Sequence, residues 1–264
     1  MIESERGVRI FNIAEFSLLD MLRCSKGLRQ AASHAQTFDA GATAVTGYIY
    51  SQFADPVTKE PQCALVRMYK TRRYGDLDPL LQEFARNKLD GMPLGDDTRV
   101  LTLVATTGLK PEWCDPARSV AHKAIPLPSV EIVEQAPMIA ALIKALGVDI
   151  ADIVTPSVSL MRDSEGKTYN VFFVERALGS AVIPAQTEFV EPYGIKSVIG
   201  FGGLLPTGEL FALVLFSRVS VPQESAARFR SVALDVKAIL HQLSLSALNS
   251  PENLTSEFTE PAGC

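Results

Sequence analysis

The stretch SVIGFGGLLPTGELFALVLFSRV, Ser197 to Val219, limits the architecture more than any other part of the chain. Two apolar runs flank the turn sequence Pro206-Thr207-Gly208 and read as a strand hairpin. A hairpin on a protein surface alternates apolar with polar residues. Here both alternations are apolar. Val198, Leu213 and Leu215 fall on one parity; Ile199, Phe201, Val214 and Phe216 fall on the other. Such a hairpin needs a cover on each face. The chain has the material for it, since 47% of its 264 residues are hydrophobic. That length makes one large domain or two small ones.

The remaining elements follow from periodicity and punctuation. Phe16 to Ala35 reads as a helix with Leu18, Leu19, Leu22 and Leu28 as its apolar stripe. Thr37-Phe38-Asp39 supplies caps for a second helix, Ala40 to Phe53, which Asp55-Pro56 ends. Cys63 to Tyr69 is a strand. Asp76 to Leu89 is a helix whose Leu77, Leu80, Leu81 and Phe84 share a face. Arg99 to Thr106 is a strand. Thr107 to Ser129 is long and irregular, and holds the only tryptophan, Trp113. Loops of that length inside a compact domain are functional or disordered. A helix runs from Pro137 to Leu146 and stops at Gly147. Tyr169 to Val174 is a strand, Pro184 to Tyr193 a short helix, and Gln223 to Leu245 a long closing helix. Strands and helices mix without regular βαβ alternation, so the fold class is α+β, an antiparallel sheet with helices packed on it.

Three stretches give this order a family likeness. They are CALVRMYK with RVLTLVATTGLKPEW, then TYNVFFVERALGSAVIPAQTEFVEPYGIKSVIGF, then TGELFALVLFSRVSVPQESAARFRSVALDVKAIL. Together, over roughly Asp39 to Leu243, the chain resembles a GAF domain, the small-molecule sensing module of bacterial signalling proteins, with insertions near Gly75 to Asp97 and Lys110 to Ser129. The resemblance implies an N-terminal helical segment (1–38), a GAF-like domain (39–248) and a disordered polar tail (249–264). It implies that one sheet face packs on the terminal helices and the other floors a ligand cavity. The alternative is a sheet sandwiched in a solid core. In the cavity reading Glu188, Glu191 and Tyr193 flank the short helix over the cavity, and Trp113, His122, Phe173, Phe189 and Phe201 join them. An aromatic cavity with one or two polar handles suits a planar small molecule. The cofactor, if any, is unknown.

The expected partners are that ligand, a second copy of the chain, and a histidine kinase or cyclase output module. In the closing helix Phe229, Val232, Val236, Ile239 and Leu243 are spaced 3, 4, 3 and 4, a coiled-coil seam that one intramolecular helix could also cover. The formal net charge of −5 and the lack of a Lys/Arg cluster argue against nucleic acid. No apolar run reaches a membrane span, and the charged MIESERGV start does not suit a signal peptide, so the expected location is cytoplasmic. Cys24, Cys63, Cys114 and Cys264 contain no CxxC pair, and His34, His122 and His241 have no metal-ligand spacing. Gly200-Phe201-Gly202-Gly203 does not complete a dinucleotide motif. Two rivals to a non-catalytic sensor remain: a redox enzyme using Cys114, and a haem-based gas sensor through His122.

Overall fold

The computed structural model describes residues 10–89, 91–156 and 170–248. Tyr169 and the expected tail at 249–264 lie outside the described residues. The helices are α1 (Leu18–Ala31), α2 (Phe38–Gln52), α3 (Pro79–Asn87), α4 (Val130–Glu134), α5 (Pro137–Ala145), α6 (Ile150–Val154), α7 (Gln223–Ala227) and α8 (Phe229–Leu248). The strands are β1 (Cys63–Arg73), β2 (Arg99–Gly108), β3 (Ala124–Leu127), β4 (Phe172–Val174), β5 (Ser197–Leu204) and β6 (Leu210–Ser217). They form one antiparallel sheet in the order β3-β2-β1-β6-β5-β4.

Local chemistry explains where the helices start. Ser17 and Asp20 close a capping box at the head of α1, and Thr37 caps α2. Asp78 accepts from the Leu80 and Leu81 amides ahead of α3, which begins at Pro79. That start leaves Leu80 exposed, outside the face the spacing gave it. Further elements fall where no regular structure was expected. β3 lies inside the Thr107–Ser129 stretch and pairs with β2, and α6 follows Gly147. Strand pairing, not local propensity, makes β3: its four residues AIPL include a proline at a sheet edge.

The hairpin forms as expected, but its faces are grouped differently. Leu204 and Leu210 stand opposite each other, and residues 205–209 make the turn, with Gly208 at φ 80°. Opposed residue numbers therefore sum to an even total, and opposed residues share a face. Val198 faces Phe216, Ile199 faces Leu215 and Phe201 faces Leu213. One face carries Ile199, Phe201, Leu213 and Leu215; the other carries Val198, Val214 and Phe216.

The first face is covered by α2 and α8, with α1 packed on those two helices. Phe16, Phe53, Phe201 and Phe229 interlock there, with ring centroids 5.1 to 5.6 Å apart along the chain of contacts. All four rings are fully buried. The closing-helix seam is used here: Phe229, Val232, Val236, Ile239 and Leu243 bury against the sheet and its neighbouring helices, so they make no seam for a second chain. In α1 the buried side chains are Cys24, Ser25 and Leu28, whereas Leu18, Leu19 and Leu22 are 63%, 53% and 58% exposed. The leucine stripe thus splits, with only Leu28 turned to the core. The second face is covered by short helices and loops. Leu142, Ile143 and Leu146 of the α5 region, with Ile150 and Ile153 of α6, pack on Val198, Ala212 and Val214.

Candidate functional site

The loop leaving β2 starts with a close approach. A Cβ on Gly108 would meet the Ala64 carbonyl at 2.8 Å and the Trp113 ring at 2.9 Å. Only glycine lets the chain turn here with the indole against it. A 3₁₀ turn, Pro111–Trp113, follows, and the Thr106 hydroxyl donates to the Trp113 carbonyl at 2.9 Å. The second segment is the single π turn Gln186–Val190, entered through Ala185 at φ 56°. A non-glycine residue there is strained, and π turns concentrate at functional sites. The Gln186 side chain holds the segment: it accepts from the Gly179 amide at 2.8 Å and donates to the Ile183 and Ala177 carbonyls at 2.8 and 3.1 Å.

These two segments meet over the second face. The Trp113 ring lies edge-on to Tyr193 at 4.6 Å and to Phe189 at 5.7 Å. Phe189 stands perpendicular to Phe216 of β6 at 5.0 Å. Lys110 Nζ lies 5.0 Å from the Tyr193 ring and 5.5 Å from the Trp113 ring. Contact with the Tyr193 hydroxyl raises the Lys110 pKa above its ordinary value. Trp113, Phe189 and Tyr193 are all half-buried. They form an aromatic shelf with one edge on solvent.

A polar group borders the shelf. Arg67 of β1 stands opposite Val214 and Thr106, so it belongs to the second face. Its Nη1 lies 3.4 Å from the Tyr69 hydroxyl and its Nη2 3.3 Å from the Ser119 hydroxyl. Its Nε is buried without a hydrogen-bond partner among the described residues. Burial raises the Tyr69 pKa, and Arg67 opposes that shift. His122 is exposed at the same loop, yet loss of water around its ring, with Arg67 and Lys88 nearby, pushes its pKa down to about 4.

The expected site residues separate. Trp113, Phe189 and Tyr193 come together. His122 lies on the Arg67 side. Glu188 is exposed beside the shelf. Phe201 is no floor of this site: it is fully buried on the opposite face against Phe229 at 5.6 Å. Phe173 also packs on that helix-covered core, because it lies opposite Ile199. Sequence reading missed Arg67, Lys110, Ser119 and Phe216. Arg67 carried a signal, being a charge within the apolar run CALVRM. Glu191 instead borders an open groove of about 780 Å³, lined also by Glu175, Arg176, Ile195 and Lys196.

Cys63 is buried on the helix side, and burial pushes its thiol up to about 12. The Cys114 sulfur lies 3.5 and 3.6 Å from the Gly108 and Lys110 carbonyls. Among the described residues no imidazole or cationic side chain hydrogen-bonds it. A nucleophilic thiol needs such a neighbour. No cluster of three or more His, Cys, Asp or Glu among the described residues could hold a metal ion, and no described helix is long and apolar enough to cross a membrane.

No protein-family profile and no curated protein matches the chain. Solved structures do. A free methionine-R-sulfoxide reductase from Neisseria meningitidis is 11% identical, with 91% of this chain and 99% of that one covered and a TM-score of 0.49. The GAF domain of a phosphoenolpyruvate-protein phosphotransferase from Coxiella burnetii is 11% identical, covering 87% and 97%, with a TM-score of 0.45. A phycoerythrobilin-bound GAF domain from a cyanobacterial phytochrome is 12% identical, covering 88% and 100%, with a TM-score of 0.45. In this chain the first and last long helices lie on one side of the sheet and loops on the other. The fold is α+β, one six-stranded antiparallel sheet between long helices and a cover of short helices and loops.

Proposed function

We propose that this GAF-like domain is a non-catalytic sensor that binds a small planar molecule on the shelf of Trp113, Phe189 and Tyr193. The observation that carries the reading is the half-burial of three rings brought together from two irregular segments. Rings that served only the core would be sealed, as Phe16, Phe53, Phe201 and Phe229 are. A flat apolar ligand would complete their burial. Transmission follows from β6. Phe216 supports Phe189, while the adjacent Leu215 packs in the core under α8. A shift of the shelf thus bears on the strand that supports the closing helix.

The output we propose is a second copy of the chain, met through the outer face of α8. Ser231, Leu234, Ala238, His241 and Leu245 lie on that face, spaced 3, 4, 3 and 4, and Leu234 and Leu245 are exposed. That spacing suits a two-stranded seam with an identical helix. A histidine kinase or cyclase is the downstream partner that the sequence resemblance implies. Light scattering at micromolar concentration should give about twice 28.6 kDa, and Leu234→Glu should return it to one mass. A single mass for the unaltered protein at every concentration removes the dimer from the proposal.

The ligand is tested with cyclic nucleotides, tetrapyrroles, aromatic acids and 2-oxo acids. Trp113 is the only indole, so its emission reports the shelf alone. A ligand on the shelf should shift that emission to the blue. It should also stabilise the fold by roughly 2.7 kcal/mol at a hundredfold excess over its dissociation constant. Stabilisation with unchanged Trp113 emission places the site elsewhere and overturns the shelf reading.

A further inference from the structure

The shelf leaves one side chain unexplained. β1 carries four cations near one another along its length. Lys70 pairs with Glu209 at 2.9 Å, Arg72 with Asp39 at 2.8 Å and Arg73 with Asp97 at 2.9 Å. Arg67, the most central, has no carboxylate within ion-pair reach among the described residues. Among the described residues its two hydrogen-bond partners are hydroxyls, both long, and its Nε has none. Removing a guanidinium from water is costly unless an anion and further hydrogen bonds repay it. A half-buried cation kept on an inner sheet strand, with only hydroxyls for hydrogen-bond partners among the described residues, is arranged for an anion that arrives from outside. The hydroxyls fit that role. Tyr69 and Ser119 are buried, and each can turn its proton toward an oxyanion once one is present.

Position ties this group to the shelf. Arg67 is opposite Val214, and Phe216, which supports Phe189, is two residues farther along the same strand and on the same face. Two residues along a strand span roughly 7 Å. We infer that Arg67, with the Tyr69 and Ser119 hydroxyls, seats a carboxylate or phosphate group of the ligand whose flat body rests on Trp113, Phe189 and Tyr193. The ligand class is an aromatic or heteroaromatic acid, or the monophosphate of a comparable ring. The inference rests on the shelf reading and adds to it the charge and reach of the ligand.

The test uses the full chain and four probes: benzoate, phenyl phosphate, neutral benzamide and inorganic phosphate. Binding is followed by Trp113 emission and by the melting midpoint. The unaltered protein should bind benzoate or phenyl phosphate at least tenfold more tightly than benzamide, and the tighter of the two names the acid group. Arg67→Met should erase that preference. It should also raise the melting midpoint of the empty protein, because an unpaired cation is gone. Arg67→Lys keeps the charge but loses the guanidinium fork, and should retain only part of the preference. This second variant serves as the test if Arg67→Met fails to fold. Benzoate, phenyl phosphate and benzamide binding equally well, before and after substitution, would overturn the anion seat and leave the shelf standing. Inorganic phosphate binding through Arg67 with no gain from a ring would leave the seat and overturn the shelf. Silence of all four probes on the unaltered protein overturns both.

Discussion

The two faces of the sheet have nearly the same strand chemistry and opposite coverings. Along β5 and β6 apolar residues point both ways, yet one side is closed by three long helices and the other by short helices and irregular segments. Under the helices the aromatic rings are fully buried and pack edge against face. Over the loops the rings are half-buried, a backbone strain is held at Ala185, and Arg67 has no counter-ion among the described residues. The difference shows how one sheet divides its work. The helix side seals its aromatic rings completely. The loop side leaves some packing and one charge incomplete, which is the condition for binding something else.

The sharpest way to break this contrast is to remove one ring from the helix side. Phe229 contacts Phe16, Phe53 and Phe201. Phe229→Ala should cost about 3–5 kcal/mol in denaturant unfolding. A cost near that of a surface change would mean that the helix side is not the structural one. A second test asks what on the loop side is rigid. A Cβ on Gly202 would meet the Phe211 carbonyl at 2.1 Å and the Ala212 Cα at 2.9 Å, both backbone of the next strand. Gly202→Ala should lose roughly 1–3 kcal/mol. Gly200→Ala should lose less, because its neighbours at 2.6 and 3.1 Å are the Leu142 and Phe172 side chains, which can turn. Equal losses at the two glycines would show the loop-side cover to be as unyielding as the ladder itself.

Smaller effects sharpen the comparison. Tyr193→Ala removes ring contacts that are open to water on one side, and should cost only about 0.5–1.5 kcal/mol, well below Phe229→Ala. A loss as large as that at Phe229 would turn the shelf into core. The smallest effect concerns pH. The folded pKa of His122, about 4, is below the ordinary 6.5, so the unfolded chain takes up its proton first as pH falls. The contribution from this group is present above pH 6.5, declines between 6.5 and 4, and is flat below. His122→Gln should lack that decline. Melting midpoints of the two proteins, compared from pH 7 to 4, should diverge across this window and run parallel outside it. Parallel curves throughout would show that the imidazole is solvated as its exposure suggests.

Much of the scaffold was legible because its signals are local. Thr37 caps α2, Pro137 opens α5, Gly147 at φ 74° ends it, and Pro206-Thr207-Gly208 turns the hairpin. Of the aromatic shelf, Trp113 was read in an irregular stretch, while Phe189 and Tyr193 were read in a short helix that the family resemblance sets over a cavity. Phe173 and Phe201 were not assignable by type, since a buried ring reads the same on either face. β3 was hidden for a related reason: its strand character comes from β2, not from its own four residues.

The sequence by itself determined that there is a sheet apolar on both sides, with helices at both ends of the chain to cover it. Caps, turns and periodicity act within a few residues and need no knowledge of the rest. The tertiary structure decided which residues share a face. It turned Phe201 to Phe229 and Phe216 to Phe189, spent the closing-helix seam on the sheet, and placed Arg67 beside Tyr69 and Ser119 with no carboxylate in reach among the described residues. Those outcomes depend on hydrogen-bond register between strands, and a shift of one residue exchanges the two faces of a strand. Register is fixed by turn geometry and by partners far apart in sequence, which is why no local reading could assign it.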